Sequence, residues 1–480
     1  MKIKKGIAFT IGLVFIMIIF TPSIYANFCK IKPQEPTSQR NYRKNIYYPN
    51  HPPISINGDN DFTPENGVTG GNGTKNDPYL IENWVIVGDG SASNGIFINN
   101  TNVYFIIRNC SVSNFSETYD SGILFNDVEN GGIEDTVVFA NDDGIKVRES
   151  ATITFTNCIC YGNRGDEQSW WGSGIDCYTS SFITVTSCVC FDNKYAGVSL
   201  TNVRYATIEE SVFYNNDFGV ELFGGLSVYN IIRKCSVFNN TYGIYGFDND
   251  RHSSYLKILD CEIYDNGIPR PGELGGHPGI DVAMLDYITI DNCTLYHNGR
   301  GINIDFSSNN VIRNCTVYNH RFENDGEYNF GIVIGGGIIR IFHAFNNTIT
   351  DCDVHDNEGG VLVFRAVNTK ILENNIWNNS HDGILVSWFS TARINWNNIY
   401  GNGFGWDWGS GFWIEKSLVD ARHNWWGASD GPKIYRLDKF ANVYPIHPGG
   451  HGDKIYRFRS IPFIFPWEQE RVPDAGRQIY

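Results

Sequence analysis

Apolar and polar residues alternate with a period of two in short runs along most of this chain, and the runs repeat. In the stretch 301–320, Ile302 and Ile304 alternate with Asn303 and Asp305, and Cys315 and Val317 alternate with Thr316 and Tyr318. Period two with β-branched enrichment predicts strands, and the 3.6-residue period of a helix is missing. Three short strands fit the unit: one after Gly301, one around Val311-Ile312, and one around Cys315–Val317. Asn and Gly lie between them, because both tolerate the left-handed backbone of a sharp corner.

The unit recurs. Gly144 precedes Cys158 by fourteen residues, as Gly174 precedes Cys188, Gly279 Cys293 and Gly301 Cys315. Looser copies begin at Gly95, Gly122, Gly197, Gly219, Gly243, Gly331, Gly360, Gly383 and Gly411. Self-similarity at this period predicts a solenoid. Three strands per turn, each turn stacked ~4.8 Å above the last, make an all-β, single-stranded parallel β-helix of about 13–14 coils and roughly 65 Å. One such solenoid is a single domain despite 480 residues.

The ends read differently. A basic start (Met1-Lys-Ile-Lys-Lys) and an apolar run from Ile7 to Phe20 predict a signal peptide over 1–26, with an uncleaved membrane anchor as the alternative. Residues 27–70 predict a linker and N-terminal cap, 71–432 the β-helix, and 433–480 a C-terminal cap. Caps are needed because an open solenoid end is a sheet edge that pairs with other chains.

Fifty-two acidic residues against 37 basic ones give a net charge of -15, which argues against nucleic acid as a partner. Eight of the twelve cysteines occupy one repeat position: Cys110, Cys158, Cys188, Cys235, Cys261, Cys293, Cys315 and Cys352. Thr136, Ser211, Asn374 and Asn397 fill it elsewhere. The position is expected to point inward as a ladder of small buried thiols. Cys158, Cys160, Cys188 and Cys190 fall on neighbouring turns, where disulfides or a soft metal are the alternatives.

Asn76-Asp-Pro-Tyr-Leu-Ile-Glu-Asn-Trp84, the motif Ile106-Ile-Arg-Asn-Cys110 and the closing Asn424-Trp-Trp-Gly-Ala-Ser-Asp-Gly-Pro432 resemble right-handed parallel β-helix proteins of the pectin-lyase-like superfamily, in its NosD-like, carbohydrate-binding and sugar-hydrolase branch. The resemblance implies the handedness of the helix. It leaves function open, because the superfamily holds lyases, hydrolases, binders and spacers. A methionine-rich copper site is excluded, since Met284 is the lone methionine after the leader. His297 and His320 are expected at equivalent turns of adjacent coils.

Insertions share one corner, between the Asn turn and the next glycine. They carry Trp170, Trp171, Trp406 and Trp408, whose indole faces suit sugar rings. The same corner supplies Glu117, Asp120, Asp142, Asp143, Asp166 and Glu167, a carboxylate set suited to Ca2+. For catalysis, the run 141–146 (Asn-Asp-Asp-Gly-Ile-Lys) echoes the paired aspartates of polygalacturonase-like members but lacks their histidine and basic partners. A lyase site is conceivable from Asp142, Asp143, Asp166, Asp176, Lys146 and Arg164, and a hydrolase pair from Asp281 and Asp305. The expected function is recognition of a polysaccharide or glycoconjugate by a monomeric, secreted or cell-surface protein. A polysaccharide lyase or glycoside hydrolase, and a structural or NosD-like metal-handling protein, are the alternatives.

Overall fold

A computed structural model describes residues 48–165, 172–249, 254–267, 276–320, 329–336, 344–405, 409–438 and 443–476. The expected leader, 1–26, and the loop tryptophans 170, 171, 406 and 408 lie outside them, as do Asp166 and Glu167.

Three long sheets wrap one apolar core. Each turn contributes a Gly-led strand to sheet 1, such as Arg300–Asp305, a strand to sheet 2, such as Val311–Arg313, and a strand to sheet 3, such as Thr316–Tyr318. Stacking yields sheets of 17, 16 and 13 strands, almost all paired in parallel. The only helical segments among the described residues are two 3-10 turns, Asp59–Asp61 and Pro64–Asn66. None is long and apolar enough to cross a membrane.

Register follows the hydrophobic pattern. Ile280 pairs with Ile302 and Ile302 with Ile332, and the same inward column continues through Ile145, Ile175, Val198, Val220 and Ile244, all fully buried. Each such side chain contributes roughly 1.5–3 kcal/mol by leaving water. A slip of one residue would turn the whole column outward, which is why the register is firm.

The leading glycines serve close packing rather than left-handed backbone. A Cβ on Gly301 would lie 2.1 Å from the carbonyl oxygen of Gly331 on the next turn. The left-handed corners are made by other residues, among them Asn157, Asn292 and Asn314 at φ 55°, 53° and 53°.

Two polar ladders run inside the solenoid. In the first, the side-chain oxygen of one Asn accepts the backbone N–H of its equivalent on the preceding turn: Asn193 N to Asn216 Oδ1 at 3.1 Å, Asn216 N to Asn240 Oδ1 at 3.0 Å, Asn240 N to Asn266 Oδ1 at 3.0 Å. The ladder ends on Asp453, whose Oδ2 accepts from Asn402 N at 3.0 Å. The cysteines form the second ladder, and all eight are buried as expected. They act as more than small hydrophobes. Cys188 N donates to Ser211 Oγ at 3.1 Å, Cys158 N approaches Cys188 Sγ at 3.5 Å, and Cys352 N donates to Asn374 Oδ1 at 2.9 Å. Cys, Ser, Thr and Asn interchange here because each presents an acceptor at the same place.

His297 and His320 are not equivalent, contrary to the spacing argument. His297 takes a left-handed corner with φ 54°, whereas His320 stands one place later, fully buried in the Asn ladder. Asn298 N donates to His320 Nδ1 at 3.1 Å, and His320 N to Asn357 Oδ1 at 3.0 Å.

The stack closes at both ends. Ile54–Asn57 pairs in parallel with the strand Asn94–Thr101. Beyond residue 432, Gly452–Phe458 stacks on Phe412–Glu415 and Ile461–Phe463 on Leu418–Asp420, so parallel turns continue into the C-terminal segment. The tail then folds back, with Gly476 N donating to Glu373 O at 2.7 Å.

Candidate functional site

The acidic corner is built largely for structure. Glu117 is exposed, but Asp120, Asp142 and Asp143 are buried. Asp120 Oδ2 accepts from Glu117 N at 3.2 Å, and Asp142 Oδ2 from Tyr119 N at 2.9 Å. Asp143 Oδ1 accepts from Gly172 N and Ser173 N at 2.9 and 3.0 Å, while Oδ2 is ion-paired with Lys146, each partner 1% exposed. Both oxygens of Asp143 are thus engaged. Among the described residues, no three His, Cys, Asp or Glu side chains gather as a cation would require. A shallow cleft of about 480 Å³ opens at this corner, lined in part by Ser116, Tyr161, Arg164 and Asp192.

A second set of polar residues comes together on the outer face of sheet 1. One column of paired residues runs Leu124, Lys146, Asp176, Ser199, Glu221, Tyr245, Asp281, Asn303, Val333, Leu362, Leu385, Trp413. It is apolar at both ends and polar over seven consecutive turns. The members alternate with inward positions of their strands, as Asp176 does between Ile175 and Cys177, so the strand pleat aims them outward.

Lys146, Ser199, Glu221 and Asn303 are buried, Asp176, Tyr245 and Asp281 are half-buried, and this shielding sets the protonation of the acids. Burial pushes the Asp176 carboxyl up to about 7, with Asp143 adding repulsion and Lys146 opposing it. Burial likewise pushes Asp281 up to about 6, although Asn303 Nδ2 donates to its Oδ1 at 2.8 Å. The same nitrogen reaches Asp305 Oδ2 at 3.4 Å, and burial raises Asp305 as well. Glu221 is raised by burial, against the hydroxyls of Tyr195 and Ser199 that donate to its two oxygens, the latter at 2.8 Å. Aromatic rings border the column: Phe218 stacks on Tyr242 with centroids 5.0 Å apart and meets Tyr195 edge-on at 5.2 Å. Carboxyls whose titration burial raises, set among hydroxyls and rings, can bind hydroxylated or cationic ligands and exchange protons with them.

Sequence reasoning picked out Asp176, Lys146, Asp281 and Asp305 as scattered possibilities and missed Glu221, Tyr195, Ser199 and Tyr245. A signal existed. The residue two places after each repeat glycine reads Phe, Leu, Lys, Asp, Ser, Glu, Tyr, Asp, Asn, Val, Leu, Leu, Trp from Gly95 to Gly411, a polar block inside an apolar column.

Solved structures of similar shape include the periplasmic alginate epimerase AlgG, at 12% identity over 80% of this chain and 85% of its own, with a TM-score of 0.40. The tailspike protein of E. coli bacteriophage HK620 shares 12% identity over 79% of this chain and 72% of its own, TM-score 0.42. The catalytic domain of a GH87 alpha-1,3-glucanase shares 13% over 78% and 64%, TM-score 0.37. At these values the likeness is one of fold alone. No curated protein sequence matches the chain. A family model described as a right handed beta helix region matches residues 42–225, 168–283 and 278–426, and on that match the chain belongs to the right-handed β-helix family.

Proposed function

We propose that this is a secreted or cell-surface protein that binds a polysaccharide or glycoconjugate along the outer face of sheet 1, between Lys146 and Asn303. The observation that carries the reading is the polar block of seven turns in a column that is otherwise apolar. Packing alone gives no reason for Asp176, Glu221 and Asp281 to sit where burial opposes their charge. A ligand does. Hydroxyl-rich chains accept and donate to such groups, and the neighbouring Tyr195, Tyr242 and Tyr245 supply rings for the apolar faces of sugars. The test is glycan-array binding followed by titration calorimetry on the hits. Tyr245→Ala and Asp281→Ala are expected to weaken binding about tenfold or more, the scale of a lost anchor of ~1.4 kcal/mol. Tyr205→Ala, on the corner between the strands Ala196–Thr201 and Thr207–Glu209, is expected to leave binding unchanged. Equal binding by all four proteins contradicts the reading.

One observation favours cleavage of the bound chain as a second reading. Asp281 and Asp305 accept from the same Asn303 nitrogen, at 2.8 and 3.4 Å. Two oxygens at 2.8 and 3.4 Å from one nitrogen lie no more than about 6 Å apart, below the roughly 6.5–9.5 Å of an inverting pair and compatible with a retaining one. An added Cβ on Gly335 would lie 2.2 Å from Asp305 Oδ1, so that carboxylate occupies space only glycine leaves. Release of reducing ends from a bound glycan, lost in Asp305→Asn, tests this reading.

A further inference from the structure

The acidic groups of the column are not scattered. Asp176, Glu221 and Asp281 occur at every second turn, and the uncharged Ser199, Tyr245 and Asn303 fill the turns after them. Successive turns are ~4.8 Å apart, so the carboxylates recur at roughly 10 Å. An extended β-1,4-linked glycan advances by about one rung of this height per sugar, and alternate sugars are flipped about the chain axis. A given ring substituent therefore faces the protein once every two sugars, in step with the carboxylates.

The column has one basic member, and Arg148 and Arg300 beside it oppose the rise of Asp176 and Asp281. Lys146, the first of its polar members, is already paired with the buried Asp143. Among the described residues, no ion pair is made by Asp176, Glu221 or Asp281, and Asp176 and Asp281 are only half-buried. With a net charge of -15 on the protein, a polyanionic glycan would meet repulsion from the molecule and from this face alike.

Resting on the reading of sheet 1 as a glycan-binding face, we propose that the ligand is a linear β-1,4-linked amino-sugar polymer, laid parallel to the solenoid axis with one sugar per turn and an ammonium group against a carboxylate at every second turn. The ammonium supplies a directly paired positive group, which Lys146, Arg148 and Arg300 do not give Asp176 or Asp281 among the described ion pairs. It relieves the cost that burial places on Asp176 and Asp281, the two groups displaced to about 7 and about 6. Tyr195 and Ser199 hold Glu221 in place at 5% exposure, so the middle contact is a preset, nearly enclosed carboxylate whose remaining lone pairs face the ligand in this proposal.

Titration calorimetry on the whole protein at about pH 6 tests this with four oligomers of equal length: β-1,4-linked hexamers of glucosamine, N-acetylglucosamine and glucose, and an oligo-uronate. The glucosamine hexamer is expected to bind at least tenfold tighter than the others. Its affinity is expected to fall as salt is added and to rise with oligomer length until the seven turns are spanned. In a Glu221→Gln, Asp281→Asn variant, which keeps side-chain shape and hydrogen bonding, the preference over the glucose hexamer is expected to collapse. Should the N-acetylated, glucose or uronate oligomer bind as tightly as glucosamine, the amino-sugar assignment is wrong while the glycan face stands. Should the variant keep its full preference, the carboxylates are not the selecting groups. Binding of none of the four would overturn the assignment and the proposed face together.

Discussion

Ser199 Oγ donates to Glu221 Oε2 across 2.8 Å, from one turn of the solenoid to the next. With the Tyr195 hydroxyl on the other oxygen, the bond holds the carboxylate at the centre of the polar block. Burial raises Glu221, and these two hydroxyls oppose that rise by binding the charged form. Ser199→Ala and Tyr195→Phe are therefore each expected to raise the titration midpoint of Glu221 further, read from the carboxyl carbon shift in NMR titration. A midpoint that falls in either variant would show that the hydroxyls do not stabilise the anion.

The Asp143–Lys146 pair makes a different prediction. Both groups are shut away from water, and Asp143 also anchors Gly172 and Ser173. Asp143→Ala leaves a buried ammonium without its partner and is expected to cost about 3–5 kcal/mol in urea denaturation. An Asp143→Leu, Lys146→Met double variant is expected to recover most of that loss. A double variant no more stable than the single one would place the cost in the loop contacts instead.

In the cysteine ladder, acceptor chemistry sets what is tolerated. Cys293 Sγ lies 3.4 Å from Asp291 O, in a fully buried site. Cys293→Ser keeps a small donor and acceptor and is expected to cost about 1 kcal/mol or less. Cys293→Asp places a charge there without a partner and is expected to prevent folding at neutral pH. Equal melting temperatures for the two variants would refute the inward ladder.

His320 predicts acid sensitivity. Burial pushes its imidazole down to about 3, against about 6.5 in an unfolded chain. The neutral ring is therefore favoured in the fold. Its contribution is present above about 6.5 and is lost as pH falls through that value toward 3, because the unfolded chain then binds the extra proton. His320→Asn restores the ladder residue of the neighbouring turns and removes this term. The variant's melting temperature is expected to fall less than the wild type's between pH 7 and pH 4. Parallel curves would contradict the assignment.

Much of the architecture was legible in the sequence, because the solenoid is dictated by local rules repeated thirteen times. Alternation in Ile302–Asp305 set the outward and inward faces, and the Gly-to-Cys spacing set the turn length. The site was less legible, for three physical reasons. Asp142 and Asp143 read as open acids, yet burial and backbone partners turn them into structural groups. His297 and His320 differ by one place in register, which a repeat with insertions of variable length conceals. The polar column lies on successive strands 22 to 36 residues apart, so Asp176, Glu221 and Asp281 become neighbours in a row only once the glycines are aligned as a stack.

The location of the glycan face is the central claim, and hydroxyl-radical footprinting with and without a bound glycan reads it directly. Tyr195, Tyr242 and Tyr245 report on the column, Tyr119 on the loop corner, and Tyr205, Tyr229 and Tyr255 on the exposed stack at the far end of the sheet 1 strands. Ligand is expected to protect the first three tyrosines and leave the other four at their free rates. Protection of Tyr119 or of the Tyr205–Tyr255 stack, with Tyr195, Tyr242 and Tyr245 unchanged, would contradict it.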